Sequence, residues 1–267
     1  MTNIVISGSL GRMGKRIAAL AIEDSDIRIV GAIEAKGHPG LNKDVGTESG
    51  LDAIGIKISD DPKPFLKKGV VLIEFSTPLA VDGHLKSARS AGSGMVIGTT
   101  GLNDKQLKVI SDASKSIPIV AAPNMSLGIN LLFRIAGDLA RTLGDDYDVE
   151  IVEAHHRFKK DAPSGTAKRF AEIISNAREV PLKDKGVYGR RGDVGQRPKG
   201  EIGIHAVRAG DIVGDHTIVF ATPGERIELT HKAQSRDAFA MGAILAAKFV
   251  ARKASGLFDM NDVLGSR

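Results

Sequence analysis

The chain has 267 residues, 42% of them hydrophobic and 26% charged, which is the make-up of a folded globular protein long enough for one large domain or two modest ones. It has no cysteine, which excludes disulfides, thiolate catalysis and cysteine-ligated metals. Aromatics are only 4%, tryptophan is absent and the net charge is +5 with mixed signs along the chain, so an acidic small molecule fits the basic excess better than nucleic acid does.

Met1-Thr2-Asn3-Ile4-Val5-Ile6 lacks the basic flank and the apolar length of a secretion signal, and no segment approaches membrane-spanning length. The expectation is a cytoplasmic protein with neither membrane nor nucleic acid as partner. Residues 3–7 predict a short buried strand, followed by the turn Gly8-Ser9-Leu10-Gly11-Arg12-Met13-Gly14 and a helix over 15–23. A second strand over 27–34 ends on an acid, Glu34. Strand, glycine turn, helix, strand, acid is the order of a dinucleotide-binding βαβ unit. Gly8 permits the tight turn and a later glycine lets helix and strand pack closely. The helix start then faces a pyrophosphate, and Glu34 accepts hydrogen bonds from ribose hydroxyls. The spacing is G-x-x-G-x-x-G, with Leu10 in the middle glycine's place, so the flanking strands and helix carry this reading. Glu34 repels a 2′-phosphate; Lys36 is the cation able to offset it, while Ala35 offers nothing. Either NADH or NADPH is therefore expected as cofactor, with tolerance of both or preference for the unphosphorylated one.

Residues 37–50 are glycine-rich and read as a loop. A strand over 70–75 is broken by Ser76-Thr77-Pro78, and a helix follows over 79–91. A strand over 95–98 runs into Thr99-Thr100-Gly101, and a helix over 102–114 has Asn103 as its cap. A strand over 117–121 closes on Ala122-Pro123-Asn124-Met125-Ser126. Alternating strands and helices predict a doubly wound parallel sheet, with ligands beyond the carboxyl ends of its strands. Phe75-Ser76-Thr77, Gly98-Thr99-Thr100 and Ala122-Pro123-Asn124-Met125 all stand at such ends. Residues 127–143 form a long helical stretch, near whose start the domain crossing is placed.

Val149, Ile151 and Val152 predict a strand running into Glu153-Ala154-His155-His156-Arg157-Phe158-Lys159-Lys160. Pro163-Ser164-Gly165-Thr166 then opens a helix, with Ser164 or Thr166 as its cap. An imidazole pair, several cations and the free N–H groups of a helix start suit a small substrate bearing carboxylates or phosphates. His155 and His156 are adjacent on a strand end and point apart, so no zinc site is expected. Residues 186–200 hold Arg190, Arg191, Arg197 and Lys199 among glycines and read either as a mobile flap attracting anions or, by default, as a flexible, solvated loop. Residues 201–208, 215–221 and 225–233 alternate apolar and polar, the pattern of an antiparallel sheet with one buried face. A last helix is expected over 236–254.

Together these stretches resemble the 4-hydroxy-tetrahydrodipicolinate reductase (dihydrodipicolinate reductase) family. The block from Glu153-Ala154-His155-His156 through Lys159-Lys160-Asp161-Ala162-Pro163-Ser164-Gly165-Thr166-Ala167 is the specific part. Gly98-Thr99-Thr100-Gly101 and Glu201-Ile202-Gly203-Ile204-His205-Ala206-Val207-Arg208 also match, and the likeness spans nearly the whole chain. The resemblance implies an α/β fold: a Rossmann-type dinucleotide-binding domain of residues 1–126 and 236–267. It implies a second α+β domain, residues 127–235, with a largely antiparallel sheet that binds substrate and builds a homotetramer. The activity implied is NAD(P)H-dependent reduction of a small dicarboxylate, 4-hydroxy-tetrahydrodipicolinate, with loss of water, in the diaminopimelate route to lysine.

Position by position, the resemblance implies His155 as proton donor and acceptor and Lys159 as a second proton donor. His156 and the backbone of Gly165 and Thr166 would hold substrate carboxylates. Gly8, Ser9, Leu10, Gly11, Arg12, Met13, Glu34, Gly98, Thr99, Thr100, Ala122, Pro123, Asn124 and Met125 would contact the cofactor. The chain departs from the family at Ala35 and Thr77, where other members carry arginine.

Overall fold

The computed structural model describes residues 1–265. The chain divides into two compact units, Met1–Leu127 with the segment from Arg236 onward, and Gly128–Ser235. In chain order the first unit opens with β1 (Thr2–Ser7), α1 (Arg12–Glu23) and β2 (Ile27–Ile33). Within the stretch read as loop lies a single turn, α2 (Val45–Glu48), held by the Asp44 carboxylate, which accepts from the N–H groups of Gly46 and Thr47. There follow β3 (Ile58–Ser59), β4 (Val70–Glu74), α3 (Pro78–Ala91), β5 (Gly94–Ile97), α4 (Asp104–Ser114) and β6 (Pro118–Ala121). Pro78 pre-sets the first turn of α3, and Gly92 ends it at φ 67°, a left-handed conformation that costs glycine little. Asn103 and Gln106 cap α4 reciprocally. The second unit contains α5 (Leu127–Leu143), β7 (Asp148–His155), α6 (Gly165–Ala177), α7 (Leu182–Lys185), β8 (Gly186–Tyr188), β9 (Ile202–Arg208), β10 (Gly214–Thr222) and β11 (Glu225–Ala233). The chain closes on α8 (Asp237–Val250), β12 (Gly256–Phe258) and α9 (Met260–Gly265).

The first unit is a seven-stranded sheet in the order β12-β6-β5-β4-β1-β2-β3, every pairing parallel. Strands covered on both faces read as nearly continuous apolar runs, and β4 is buried throughout, apolar up to its last residue, Glu74. Alternation sorts the two faces. Ile4, Ile6, Val71 and Ile73 meet Ile17 of α1 and Ala243 and Ala247 of α8. Val5 and Leu72 meet Val81 and Leu85 of α3 and Ile110 of α4. Each of these valine, leucine and isoleucine side chains contributes about 1.5–3 kcal/mol on burial. Gly242 lets α8 approach the chain closely: a Cβ there would lie 1.8 Å from the Met125 carbonyl oxygen. The strand order reverses between β1 and β4, which opens a crevice at their carboxyl ends.

The second unit is a five-stranded sheet in the order β11-β10-β7-β9-β8. It is mixed rather than simply antiparallel. β10 runs antiparallel to β11 and β7 over its length, whereas β9 is parallel to both β7 and β8. The chain between β7 and β9 passes through α6 and α7, a crossover long enough to restore the strand direction. Ile151, Ile204, Ile218 and Phe220 form the buried face under Phe133 and Phe170, whose rings stand 4.5 Å apart.

The arginine-rich segment read as a solvated loop is pinned. Arg190 binds Glu150 at 2.9 Å and Glu201 at 3.0 Å, and Arg197 binds Glu150 at 3.0 Å and Asp148 at 2.5 Å. His205 adds a contact to Glu150 at 2.6 Å. Burial opposes the charge on Glu150, but Arg190, His205 and Arg197 outweigh it and lower its pKa to about 2. Gly203 makes room for that carboxylate, since a Cβ there would sit 1.8 Å from Oε2.

Candidate active site

In the first unit, β1 ends in a turn built around two glycines. Gly8 has φ 72°, and a Cβ on it would lie 2.5 Å from the Phe75 carbonyl oxygen. A Cβ on Gly14 would lie 2.1 Å from the Gly8 carbonyl oxygen, so this glycine lets α1 pack onto the turn. No side chain caps α1, whose N-cap residue is Gly11. Its first-turn N–H groups are thus available to an anion. Glu34 closes the other side: its carboxylate accepts from Leu10 N at 3.0 Å and from Ala35 N at 2.9 Å. Gly8, Leu10, Gly11 and Glu34 line a cavity of about 480 Å³ that also takes in Lys36, His38, Phe75, Thr77 and His84.

The other predicted cofactor positions sit farther along the same sheet edge. Gly98-Thr99-Thr100 follows β5. A Cβ on Gly98 would fall 2.2 Å from Cζ of Phe75, so only glycine accommodates that ring, and Thr99 Oγ1 donates to the Glu74 carbonyl at 3.3 Å. Ala122-Pro123-Asn124-Met125 follows β6, with Asn124 Oδ1 accepting from Ser126 N at 2.9 Å and the Met125 side chain buried. Ser9, Arg12 and Met13 belong to the glycine turn and the start of α1; Ser9 Oγ is buried without a partner among the described residues. A turn that only glycine can form, an uncapped helix start and an acid at the end of β2 fit a dinucleotide.

The carboxylate at the end of β4 escaped the sequence reading. Glu74 is fully buried, 2.5 Å from Nδ1 of His84, and accepts from Ser76 N at 2.9 Å. Its only signal in the sequence is an acid inside an apolar run.

In the second unit, β7 delivers Glu153 and His155 to one face, two residues apart. Glu153 is fully buried. One of its oxygens accepts from Ser164 N at 3.0 Å and from Arg208 at 2.9 Å; the other accepts from Arg208 at 2.9 Å and lies 2.5 Å from Nδ1 of His155. Burial works against the charge of Glu153, but Arg208 and His155 overcome it and hold its pKa below the usual value. Burial also pulls His155 below the ordinary histidine pKa, against the raising effect of Glu153. His216 on β10 meets His155 edge-on at 5.2 Å and lies 3.2 Å from Ser164 Oγ. Burial first and His155 second push the His216 pKa down to about 3, so this ring is neutral.

Ser164, rather than Thr166, caps α6, accepting from Ala167 N at 3.2 Å. Gly165 and Thr166 form the first turn beyond it, following a cis peptide bond between Ala162 and Pro163. Lys159 is bound to Asp161 at 2.9 Å and is mostly covered. His156 is tied by its backbone N–H to the Ile212 carbonyl at 2.7 Å, and its Nδ1 is buried without a partner among the described residues. His155, His156, Lys159, Gly165 and Thr166 thus all belong to one strand end and the helix start that follows it. Glu153, Arg208 and His216 complete the cluster. Their roles were not legible because β9 and β10 supply two of them from more than 50 residues away.

A Rossmann-type unit with a glycine turn, joined in one chain to a second unit carrying a carboxylate-anchored histidine beside a helix start, defines a two-domain nicotinamide-dependent oxidoreductase. Residues 2–125 match the model for the dihydrodipicolinate reductase N-terminus and residues 128–264 that for its C-terminus. The chain is 48% identical over 265 residues to the 4-hydroxy-tetrahydrodipicolinate reductase of Nitrosomonas europaea, covering 99% of this chain and 98% of that one. It is 46% identical to the enzyme of the same name from Syntrophus aciditrophicus, over 100% of both chains. The dipicolinate-bound dihydrodipicolinate reductase from Paenisporosarcina sp. TG-14 superposes with a TM-score of 0.77 at 25% identity, covering 98% of this chain and 99% of that one. The chain belongs to the dihydrodipicolinate reductase family.

Proposed function

We propose that this chain reduces 4-hydroxy-tetrahydrodipicolinate to tetrahydrodipicolinate in the diaminopimelate route to lysine. The reaction takes substrate, NAD(P)H and one proton to product, NAD(P)⁺ and water. The observation that carries the reading is the second-unit cluster. An imidazole anchored by a buried carboxylate stands with a lysine and the first turn of α6 at Gly165 and Thr166, a constellation matched to a dicarboxylate that must receive a proton.

When bound, the reduced nicotinamide supplies the hydride. Gly8 to Met13, Glu34, Gly98 to Thr100 and Ala122 to Met125 are the residues we assign to holding it, and the first unit is accordingly the dinucleotide-binding domain. Ala35 leaves Lys36 as the cation bordering the adenosine side of the cavity beside Glu34. That balance favours acceptance of both cofactors, or preference for NADH. In the second unit, the Gly165 and Thr166 N–H groups and His156 take the substrate carboxylates. Lys159 exchanges Asp161 for substrate and offsets its negative charge. His155 delivers the proton to the carbon beside the hydride-accepting centre, where negative charge develops.

We assign the second unit to substrate binding and assembly into a homotetramer. Val152 and Val207, 38% and 45% exposed on the uncovered side of its sheet, support the assembly role. The cytoplasm, where reduced nicotinamide cofactors are regenerated, is the compartment this reading requires. The test is a coupled assay with freshly generated substrate, following NADH and NADPH oxidation separately. Substrate-dependent oxidation of at least one supports the assignment, and none with either rejects it.

A further inference from the structure

We propose that Glu153 and Arg208 are positioning residues that lock His155 into the tautomer with its proton on Nδ1, leaving Nε2 as the nitrogen through which the proton passes. The inference rests on the assignment of His155 above and extends it to two residues that the family resemblance leaves without a role.

The geometry admits little choice. Glu153 is ionised, and an ionised carboxylate only accepts hydrogen bonds. At 2.5 Å from Oε2, Nδ1 of His155 must be the donor. The carboxylate cannot turn away to other partners, because the Arg208 guanidinium grips both of its oxygens at 2.9 Å and Ser164 N holds Oε1 at 3.0 Å. Arg208 is itself tied to the Asp161 carbonyl at 2.7 Å, in the loop that leads into α6. One buried carboxylate therefore fixes the imidazole and the helix start together. Nε2 of His155 faces Gly214, where a Cβ would lie only 3.1 Å away, so the missing side chain keeps that edge clear.

The charged and titratable groups around the ring are Glu153 on its own strand, Arg208 on β9, His216 on β10 and Lys159 in the following loop. Glu153 is the negative one among these, and it stabilises the imidazolium needed before His155 can donate from Nε2, while the Asp161 carboxylate is taken up by Lys159 at 2.9 Å. Arg208, Lys159 and burial oppose the imidazolium.

The variant Glu153→Gln tests this with a signature that loss of packing would not produce. A glutamine has one oxygen. Ser164 N is a permanent donor at the Oε1 position, whereas His155 can change tautomer, so the amide oxygen settles at Ser164. The amide NH₂ then faces Nδ1 and donates to it, which drives the His155 proton to Nε2. The experiment is ¹⁵N NMR of the histidine rings at neutral pH without substrate, with His155 assigned by comparison with His155→Gln. The expected result is Nδ1–H in the native protein and Nε2–H in Glu153→Gln. Turnover should fall by at least about 100-fold, with NADH affinity unchanged. The alkaline limb of kcat/KM, which reports loss of the His155 proton, should move to lower pH once the carboxylate charge is gone. Glu153→Asp should recover part of the rate.

An Nε2–H tautomer in the native protein overturns the proposal without any variant, so a poorly folding Glu153→Gln does not shelter it. An unmoved tautomer or an unmoved alkaline limb in a folded Glu153→Gln overturns it as well. The ring measurement needs no substrate. If the native protein fails to turn over, the functional assignment falls while the tautomer result stands on its own.

Discussion

The Glu74 carboxylate lies 2.5 Å from Nδ1 of His84 at the point where the strand order of the parallel sheet reverses. Glu74 has no exposed surface, and His84 borders the cavity lined by Gly8 and Glu34. The first unit thus stabilises its ligand crevice with a buried acid–imidazole pair, as the second unit does with Glu153 and His155. Glu74→Ala would strip His84 and Ser76 N of their acceptor. The expected cost is about 3 kcal/mol, read as a lower urea midpoint together with weaker NADH binding. An unchanged midpoint would mean that the pair is not a stabilising element.

His155→Gln should lower kcat by about 100- to 10,000-fold and leave the NADH dissociation constant near its native value, because His155 lies in the second unit. Lys159→Ala should lower kcat and raise KM together if this side chain has the two roles proposed for it, neutralising the substrate and assisting proton delivery. Steady-state kinetics with direct cofactor titration separates the two. Near-normal turnover in His155→Gln would remove that residue from the chemistry.

Stability should fall on mild acidification. His216, with its pKa pushed down to about 3, is neutral in the folded protein, and His155 and His231 are shifted in the same direction. The unfolded chain takes up protons on these rings below a pH of about 6.5, so the folded state binds fewer protons there and loses stability as the pH falls from that value toward 3. Glu150, lowered to about 2, adds a second loss below the ordinary glutamate value of 4.5. Thermal melts at pH 7.5, 6 and 5 should show a falling Tm, with a shallower fall in His216→Gln. Parallel slopes for the two proteins would contradict the assignment of the effect to His216.

Glu150 should govern the order of the segment after β8. Arg190 and Arg197 converge on it, and Glu150→Ala removes their common partner. Limited proteolysis should then cut around Gly192 and Gly195 in the variant well before the native protein is cut. Equal cleavage rates would show that the ion-pair cluster does not hold the segment.

The parts of this fold that were legible in the sequence are those with long patterns. The continuous apolar run of β4, the spacing of α1 and the Asn103 cap of α4 each identify an element without help from the rest of the chain. β3, β8 and β12 are two or three residues long and carry no period; they are strands only because a neighbour's edge is there to pair with. The parallel direction of β9 was equally hidden, because alternation looks the same whichever way a strand runs. In the site, His155, His156 and Lys159 stand out as a local cluster beside a helix start. Arg208 lies 55 residues from Glu153, and nothing in either residue's neighbourhood announces the partner. Arg190 and Arg197 look like solvated charge until Glu150, some 40 residues upstream, is seen between them.

The most direct test of the account is a crystal of this protein soaked with pyridine-2,6-dicarboxylate. The account predicts the inhibitor in the second unit, one carboxylate on the N–H groups of Gly165 and Thr166 and the ring within reach of His155 and Lys159. Density for the dicarboxylate bound elsewhere, with that cluster vacant, would contradict it.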